Sequence, residues 1–311
     1  MTLISRPAQE SDSAIVQRIV DANQKSLNPD EISFGEMEAK ELLQGFFDPS
    51  INRLLKTNEE GEWECLVSLH PDLQRERFYL DIYRLPTSPL LAEAIDMALG
   101  IARESHPTFR LWPGVHSADH HYQSLLTERG FGVLRRYWMM QMDLDSPIEF
   151  SLPQGSELVE VGTDQHLLVE MWQIHQDSFS EHFGFMPRPF EIWREKLIRD
   201  IQEKNQSAWI LRIDGQGVGF IDCDDTLLHE DSGYVAGLGV RKNFQGRGLG
   251  EILLRFAINQ SAKEGRLKLT LNVDAGNESG ALRLYEKVGM KIASQWQQYE
   301  NPDWATSQNH A

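Results

Sequence analysis

At 311 residues, with 41% hydrophobic and 25% charged side chains, the chain has a soluble globular composition and room for two domains of ordinary size. Its 30 basic against 47 acidic residues leave a net charge of −17, which repels phosphodiester backbones and anionic lipid headgroups, so neither nucleic acid nor membrane is an expected partner. Cys65 and Cys223 alone imply no disulfide framework, Met1 to Arg6 lacks the apolar centre of a signal peptide, and no apolar run approaches membrane-spanning length, so a cytoplasmic location is expected.

In chain order, Thr2 to Arg6 reads as a short strand, and Ser11 to Ala22 as a helix with Ala14, Ile15, Ile19 and Val20 on one face. Gly35 to Phe46 is a second helix. Strands follow at Asn52 to Lys56, Glu62 to Leu69 and Arg77 to Tyr83, then a helix at Leu91 to Arg103, a strand at Phe109 to Val115, a helix at His120 to Glu128 and a strand at Gly132 to Leu144. Ser146 to Gly155, with Pro147 and Pro153 and few helix or strand signals, reads as a linker.

The second half repeats the order. Glu157 to Val161 is a strand, Gln165 to Gln176 and Phe190 to Ile201 are helices, and Ala208 to Ile213 with Val218 to Asp222 form a hairpin across Asp214-Gly215-Gln216-Gly217. A strand from Tyr234 to Val240, a helix from Glu251 to Ala262, a strand from Lys268 to Val273, a helix from Ser279 to Lys287 and a strand from Lys291 to Tyr299 complete it. Setting Gly130-Phe131 on Gly289-Met290 brings Leu90 onto Leu249 and the helix at Leu91 onto the one at Gly250 without a gap, an internal repeat of whole-domain length. The expected division is 1–145, a linker at 146–155, and 156–311.

The most informative stretch is Gly239-Val240-Arg241-Lys242-Asn243-Phe244-Gln245-Gly246-Arg247-Gly248-Leu249-Gly250. A strand, a glycine loop and a helix start make an anion site, because glycine lets the backbone come close while free amides and the positive end of the helix dipole point into the loop. A P-loop would need Gly-Lys-Ser/Thr at the end of the loop, and a dinucleotide fingerprint would need different glycine spacing and a later acid; neither fits.

Gln245 to Gly250, as Gln-x-x-Gly-x-Gly, resembles the pyrophosphate loop of the GNAT superfamily of acyl-CoA-dependent N-acetyltransferases. Asn277, Ala281, Leu284-Tyr285 and Gly289-Met290 resemble the second half of the same signature, with Met in place of Phe. The resemblance implies an α/β (α+β mixed sheet) fold with two tandem GNAT-type acetyltransferase domains. It further implies acetyl-CoA as acyl donor and a small-molecule amine or peptide as acceptor. In the first copy Gln245, Gly246, Arg247, Gly248 and Gly250 fall on Pro86, Thr87, Ser88, Pro89 and Leu91, and prolines donate no amides to phosphate, so this copy is degenerate. The architecture is similar to that of the tandem acetyltransferases that include mycothiol synthase. The specific motifs are confined to about residues 234 to 290, so no acceptor is carried over.

The resemblance assigns Leu238, Gly239 and Val240 to pantetheine and Gln245, Gly246, Arg247, Gly248, Leu249 and Gly250 to pyrophosphate. Asn277 is either a plain helix cap or a further contact to the donor. Tyr285 is the expected acid that protonates the departing sulfur, and a core tyrosine otherwise. The base is open among His229, Glu230, Asp231 and Asp222, with Glu230 and Asp231 taken as candidates. Phe179, Glu181, His182 and Phe183 lie where the family builds its acceptor pocket, although a hydrophobic loop packed on the neighbouring domain explains them equally. His116 and His120 have helical spacing but too few companions for a metal, and no metal is expected. The rival reading is a non-catalytic acyl-CoA-binding or sensing protein.

Overall fold

The computed structural model describes residues 3–43, 51–203, 205–276 and 280–304. The chain divides into two compact units. The first runs up to Tyr137 and resumes at Ser294, and the second spans Trp138–Ala293.

The first unit contains β1 (Ile4–Pro7), α1 (Ser13–Leu27), α2 (Glu36–Leu43), β2 (Arg53–Lys56), β3 (Cys65–Asp72), β4 (Arg77–Arg84), α3 (Leu91–Ser105), β5 (Arg110–His116) and α4 (His120–Glu128). Its sheet is antiparallel from β1 to β4, and β5 joins β4 in parallel through the α3 crossover. Val16, Ile19 and Val20 of α1 pack with Leu54 and Leu66 in one core. In a second core Leu91, Ile95 and Ala98 of α3 pack with Phe78, Leu80 and Leu111. The periodicity of three and four on the helices and of two on the strands produces these contacts.

Next come β6 (Gly132–Asp143), on which the chain passes into the second unit, β7 (Ser156–Glu160), α5 (Gln165–Phe179), α6 (Phe190–Glu203), β8 (Ser207–Ile213), β9 (Gln216–Asp224), β10 (Ser232–Val240), α7 (Leu249–Lys263), β11 (Lys268–Asp274), α8 (Ala281–Lys287) and finally β12 (Lys291–Glu300). The β8–β9 hairpin turns at Asp214 and Gly215, both at positive φ (48° and 76°), the pairing that a two-residue turn with a right-handed strand twist requires. Leu253, Leu254, Ala257 and Ile258 of α7 pack with Leu211, Ile221, Leu269 and Leu271. Leu168, Met171 and Ile174 of α5, with Trp193 and Leu197 of α6, pack with Ala208, Ile210 and Phe220.

Two features depart from the sequence-based division. The last strand of each sequence repeat completes the sheet of the other unit: β12 pairs antiparallel with β5 (Trp296 opposite His116), and β6 lies beside β11 in the strand order β6-β11-β10-β9-β8-β7. In the second pairing Gln141 Nε2 donates to Thr270 Oγ1 at 3.1 Å. The units therefore break at 137/138 and 293/294 and not at 146–155. The stretch expected to be a linker, although without helix or strand, is fastened to α7. Ile148 N donates to Asn259 Oδ1 at 2.8 Å, Asn259 Nδ2 returns a bond to Ile148 O at 2.7 Å, and Phe150 meets Phe256 edge to face. A reciprocal amide pair of this kind is invisible to a search for proline and low periodicity.

Among the described residues no helix is long and apolar enough to cross a membrane, and no group of three or more His, Cys, Asp or Glu is placed to hold a metal ion.

Candidate active site

The second unit's sheet opens at its centre. β10 pairs in parallel with β11 from Ser232 opposite Lys268 to Val235 opposite Leu271, and the described ladder stops there, although β10 runs on to Val240 and β11 to Asp274. On its other side β10 stays paired with β9, with a register shift at Ala236. An extra residue in one strand adds local twist and swings the remainder away from its neighbour. Into the gap opens a cavity of about 490 Å³ lined by Val235 to Val240, by Leu271 to Asp274 and by α8. An unpaired strand edge inside a sheet is what an extended, amide-bearing chain can add to.

The mouth of this cavity is the glycine loop. Gly246 and Gly248 sit at φ +74° and +77° with nothing within 4 Å of an added Cβ, so a left-handed backbone and not crowding selects glycine there. Gly248 caps α7 with no side-chain hydrogen bond to the helix start, which leaves the first amides of a fifteen-residue helix without intrahelical acceptors. Gly250 is a packing glycine: a Cβ there would meet Leu284 Cδ2 at 3.2 Å. Gln245 Nε2 donates to Val240 O at 3.0 Å and ties the loop to the strand end. Glu251, whose charge would oppose an anion here, is held ionised by Lys287 at 2.6 Å and Arg255 at 3.0 Å, which lower its pKa and neutralise it.

Tyr285 of α8 lines the same cavity. Burial pushes its phenol up to about 12, so it holds its proton at neutral pH and is available as a donor.

A second cavity, of about 580 Å³, shares Phe179, Ala236, Gly237 and Asn272 with the first and extends to α5 and α6. Its wall carries Asp222 and Asp224, alternate residues of β9 and therefore on one face of the strand. Asp222 is 8% exposed. Its Oδ2 accepts from Gln206 Nε2 at 2.5 Å, while its Oδ1 is buried with no hydrogen-bond partner among the described residues. Burial first, and the charge of Asp224 second, push its carboxyl up to about 7. His175, half-buried in the same wall, is pushed down by desolvation to about 4 and is neutral.

The structure brings Leu238, Gly239, Val240, Gln245, Gly246, Gly248, Leu249, Gly250, Tyr285, Phe179 and His182 to the first cavity. Arg247 turns back over the loop, its Nη2 donating to Asn243 O and its guanidinium 4.9 Å above the Phe244 ring. Glu181 is exposed and paired with Lys242 at 2.7 Å, and Phe183 is 45% exposed; neither lines a cavity. Glu230 and Asp231 form the turn before β10, where Asp231 O accepts from Leu267 N and Lys268 N, and they too line neither cavity. Nearness to the start of β10 suggested them, but they sit at the far end of the strand from the loop. Asn277 lies outside the described residues. Of the sequence-predicted bases only Asp222 lines the second cavity; the pattern Phe220-x-Asp222-x-Asp224, two acids on one face of a strand, is the local signal for its acidic wall.

Among the described residues the corresponding place in the first unit is filled. The β4–β5 ladder also stops early, at Leu80 opposite Pro113, but Asp81 fills the gap: its Oδ1 would stand 2.8 Å from a Cβ at Gly114. What remains is about 10 Å³.

Residues 168–290 match the model of the acetyltransferase (GNAT) family. The chain is 32% identical over 166 residues to a mycothiol acetyltransferase of Kocuria rhizophila, spanning 47% of this chain and 50% of that protein. It is 29% identical over 203 residues to the mycothiol acetyltransferase of Streptomyces scabiei, spanning 62% of each. The chain thus matches about half to three-fifths of the length of these curated relatives. A GCN5-related N-acetyltransferase from Sphaerobacter thermophilus superposes with a TM-score of 0.80 at 19% identity, over 96% of this chain and 95% of that one. A tandem GNAT protein from the clavulanic acid biosynthesis pathway superposes with a TM-score of 0.71 at 15% identity, over 96% and 98%. Both cover the two units, and both speak to the fold.

Proposed function

We propose that this chain, whose residues 168–290 match the model of the acetyltransferase (GNAT) family, moves an acetyl group from acetyl-CoA to a primary amine by direct attack of nitrogen on the thioester in the second unit. The observation that carries the proposal is the opening between β10 and β11, which leads from an unpaired strand edge to the uncapped amides of α7. Pantetheine is a chain of amides that suits the edge at Leu238, Gly239 and Val240, and pyrophosphate suits the amides from Gln245 to Gly250. Asn277 remains a proposed contact on the resemblance alone.

In this reading the strand amides near Gly239 and Val240 polarise the thioester carbonyl, and Tyr285 gives its proton to the sulfur as the carbon–sulfur bond breaks. Phe179 and His182 flank the reacting centre. The two mycothiol acetyltransferases support acetyl transfer as the chemistry. The filled gap at Asp81 supports a first unit without donor.

The test is a coenzyme A release assay with acetyl-CoA over simple amines, aminoglycosides, amino acids and peptides, run beside Tyr285→Phe. Release that depends on one amine class and falls in the variant supports the proposal. Binding of acetyl-CoA with no release on any amine would leave an acyl-CoA-binding protein in its place.

A further inference from the structure

We infer that the second cavity is the acceptor chamber and that Asp222 is the group that takes the proton from the incoming amine; this rests on the acetyl-transfer reading above. The two cavities meet at Ala236 and Gly237, where β10 leaves β11. The donor's thioester, drawn along the edge of β10, ends at this junction from one side, and an amine in the second cavity meets it from the other. Asp222 Oδ1 lies at the junction, against the Cα of Gly237, in the space a side chain there would need.

An unpartnered carboxylate oxygen that is nine-tenths buried costs stability unless something uses it. An ammonium group satisfies it completely. The groups that face Asp222 are Asp224 on its own strand, Lys196 and Asp200 on α6, His175 on α5, Tyr234 on β10 and Arg188 before α6. Lys196 is already bonded to Asp200, and His175 is neutral. Asp222 and Asp224 outweigh the charge of Arg188, so the wall favours an acceptor arriving as its cation, with aromatic walls at Phe179, Trp193 and Phe220 for its body.

The proton account closes. The ammonium gives one proton to Asp222 Oδ1, and the neutral nitrogen bonds to the carbonyl carbon. The carbon–sulfur bond breaks, sulfur takes the Tyr285 proton, and the nitrogen's surplus proton restores the phenol through solvent. One amide, one thiol and one proton leaving Asp222 for solvent are the products.

The test uses the whole chain. Asp222→Asn is expected to bind coenzyme A as the parent does, to lose about 10²- to 10⁴-fold in kcat and to lose the acidic limb of the kcat profile. Two neighbours should move that limb in opposite directions: Asp224→Asn towards lower pH, by removing a like charge, and Gln206→Ala towards higher pH, by removing a donor to the carboxylate. Carbon-13 NMR of labelled aspartate in the free protein should show a carboxyl titrating near 7 that is absent in Asp222→Asn. Parental turnover and an unshifted limb in Asp222→Asn, with the parent active, overturn the assignment of Asp222 alone. Failure of the parent to bind coenzyme A or to turn over any amine overturns the acetyl-transfer reading and this one with it.

Discussion

Asp222 and Gly237 stand opposite one another on the β9–β10 ladder, and Asp222 Oδ1 occupies the room a Cβ at Gly237 would take. Gly239 repeats the relationship one pleat on, where a Cβ would meet Phe220 Cε1 at 2.6 Å and Ser178 Cβ at 2.9 Å. The two glycines let β10 lie against the side chains of β9 and α5 while its free edge faces the cavity. A single substitution separates this close approach from the donor loop. Gly237→Ala is expected to cost about 1–3 kcal/mol of stability and to displace Asp222, so that turnover falls while coenzyme A affinity, set at the loop, stays within a few-fold. Urea melts and calorimetry read the two effects.

Tyr285→Phe removes only an oxygen from a ring that already packs in the α7 core. The expected result is a fall in kcat of about 10²-fold or more with parental coenzyme A affinity, and the same ratio across neutral pH because the phenol holds its proton up to about 12. Equal kcat would return Tyr285 to a packing role.

Asp222 also links pH to stability. Its folded pKa, about 7, lies above the ordinary value of 3.8, so its contribution is fully favourable below the unfolded value and is lost as pH rises through the folded one. Denaturant melts should therefore show Asp222→Asn gaining stability over the parent as pH rises from about 4 to about 7, by at most about 4 kcal/mol, and gaining nothing more above that. A carboxylate with an ordinary pKa would give a flat difference.

The exchanged strands predict how the chain divides. Residues 156–311 carry the whole glycine signature but lack β6, so the edge of β11 that Gln141 bonds is uncovered. Expressed alone, this half should aggregate or elute as mixed oligomers in size-exclusion chromatography, as unprotected edges do. A stable monomer would contradict the exchange.

The order of elements was legible in the sequence because amphipathic periods of 3.6 and 2 survive in both halves, and the loop was legible because Gly246 and Gly248 need a left-handed backbone. Strand ownership was not: β6 and β12 have the same pattern whichever sheet they complete. The acceptor side was less readable for a different reason. Asp222 and Asp224 meet Gln206 across the β8–β9 ladder, where Ser207 and Ala208 stand opposite Cys223 and Asp222, and no local spacing marks that meeting. Glu230 and Asp231 are near β10 in sequence, whereas the opening lies farther along that strand.

Titration calorimetry of coenzyme A against the parent chain, Gly248→Val and a first-unit control, Ser88→Ala, tests the central claim most directly. One site per chain is expected, lost in Gly248→Val, where a β-branched side chain is forced to positive φ, and retained in the control. Absence of binding to the parent, or binding that survives Gly248→Val and fails in Ser88→Ala, would contradict a donor site at the head of α7.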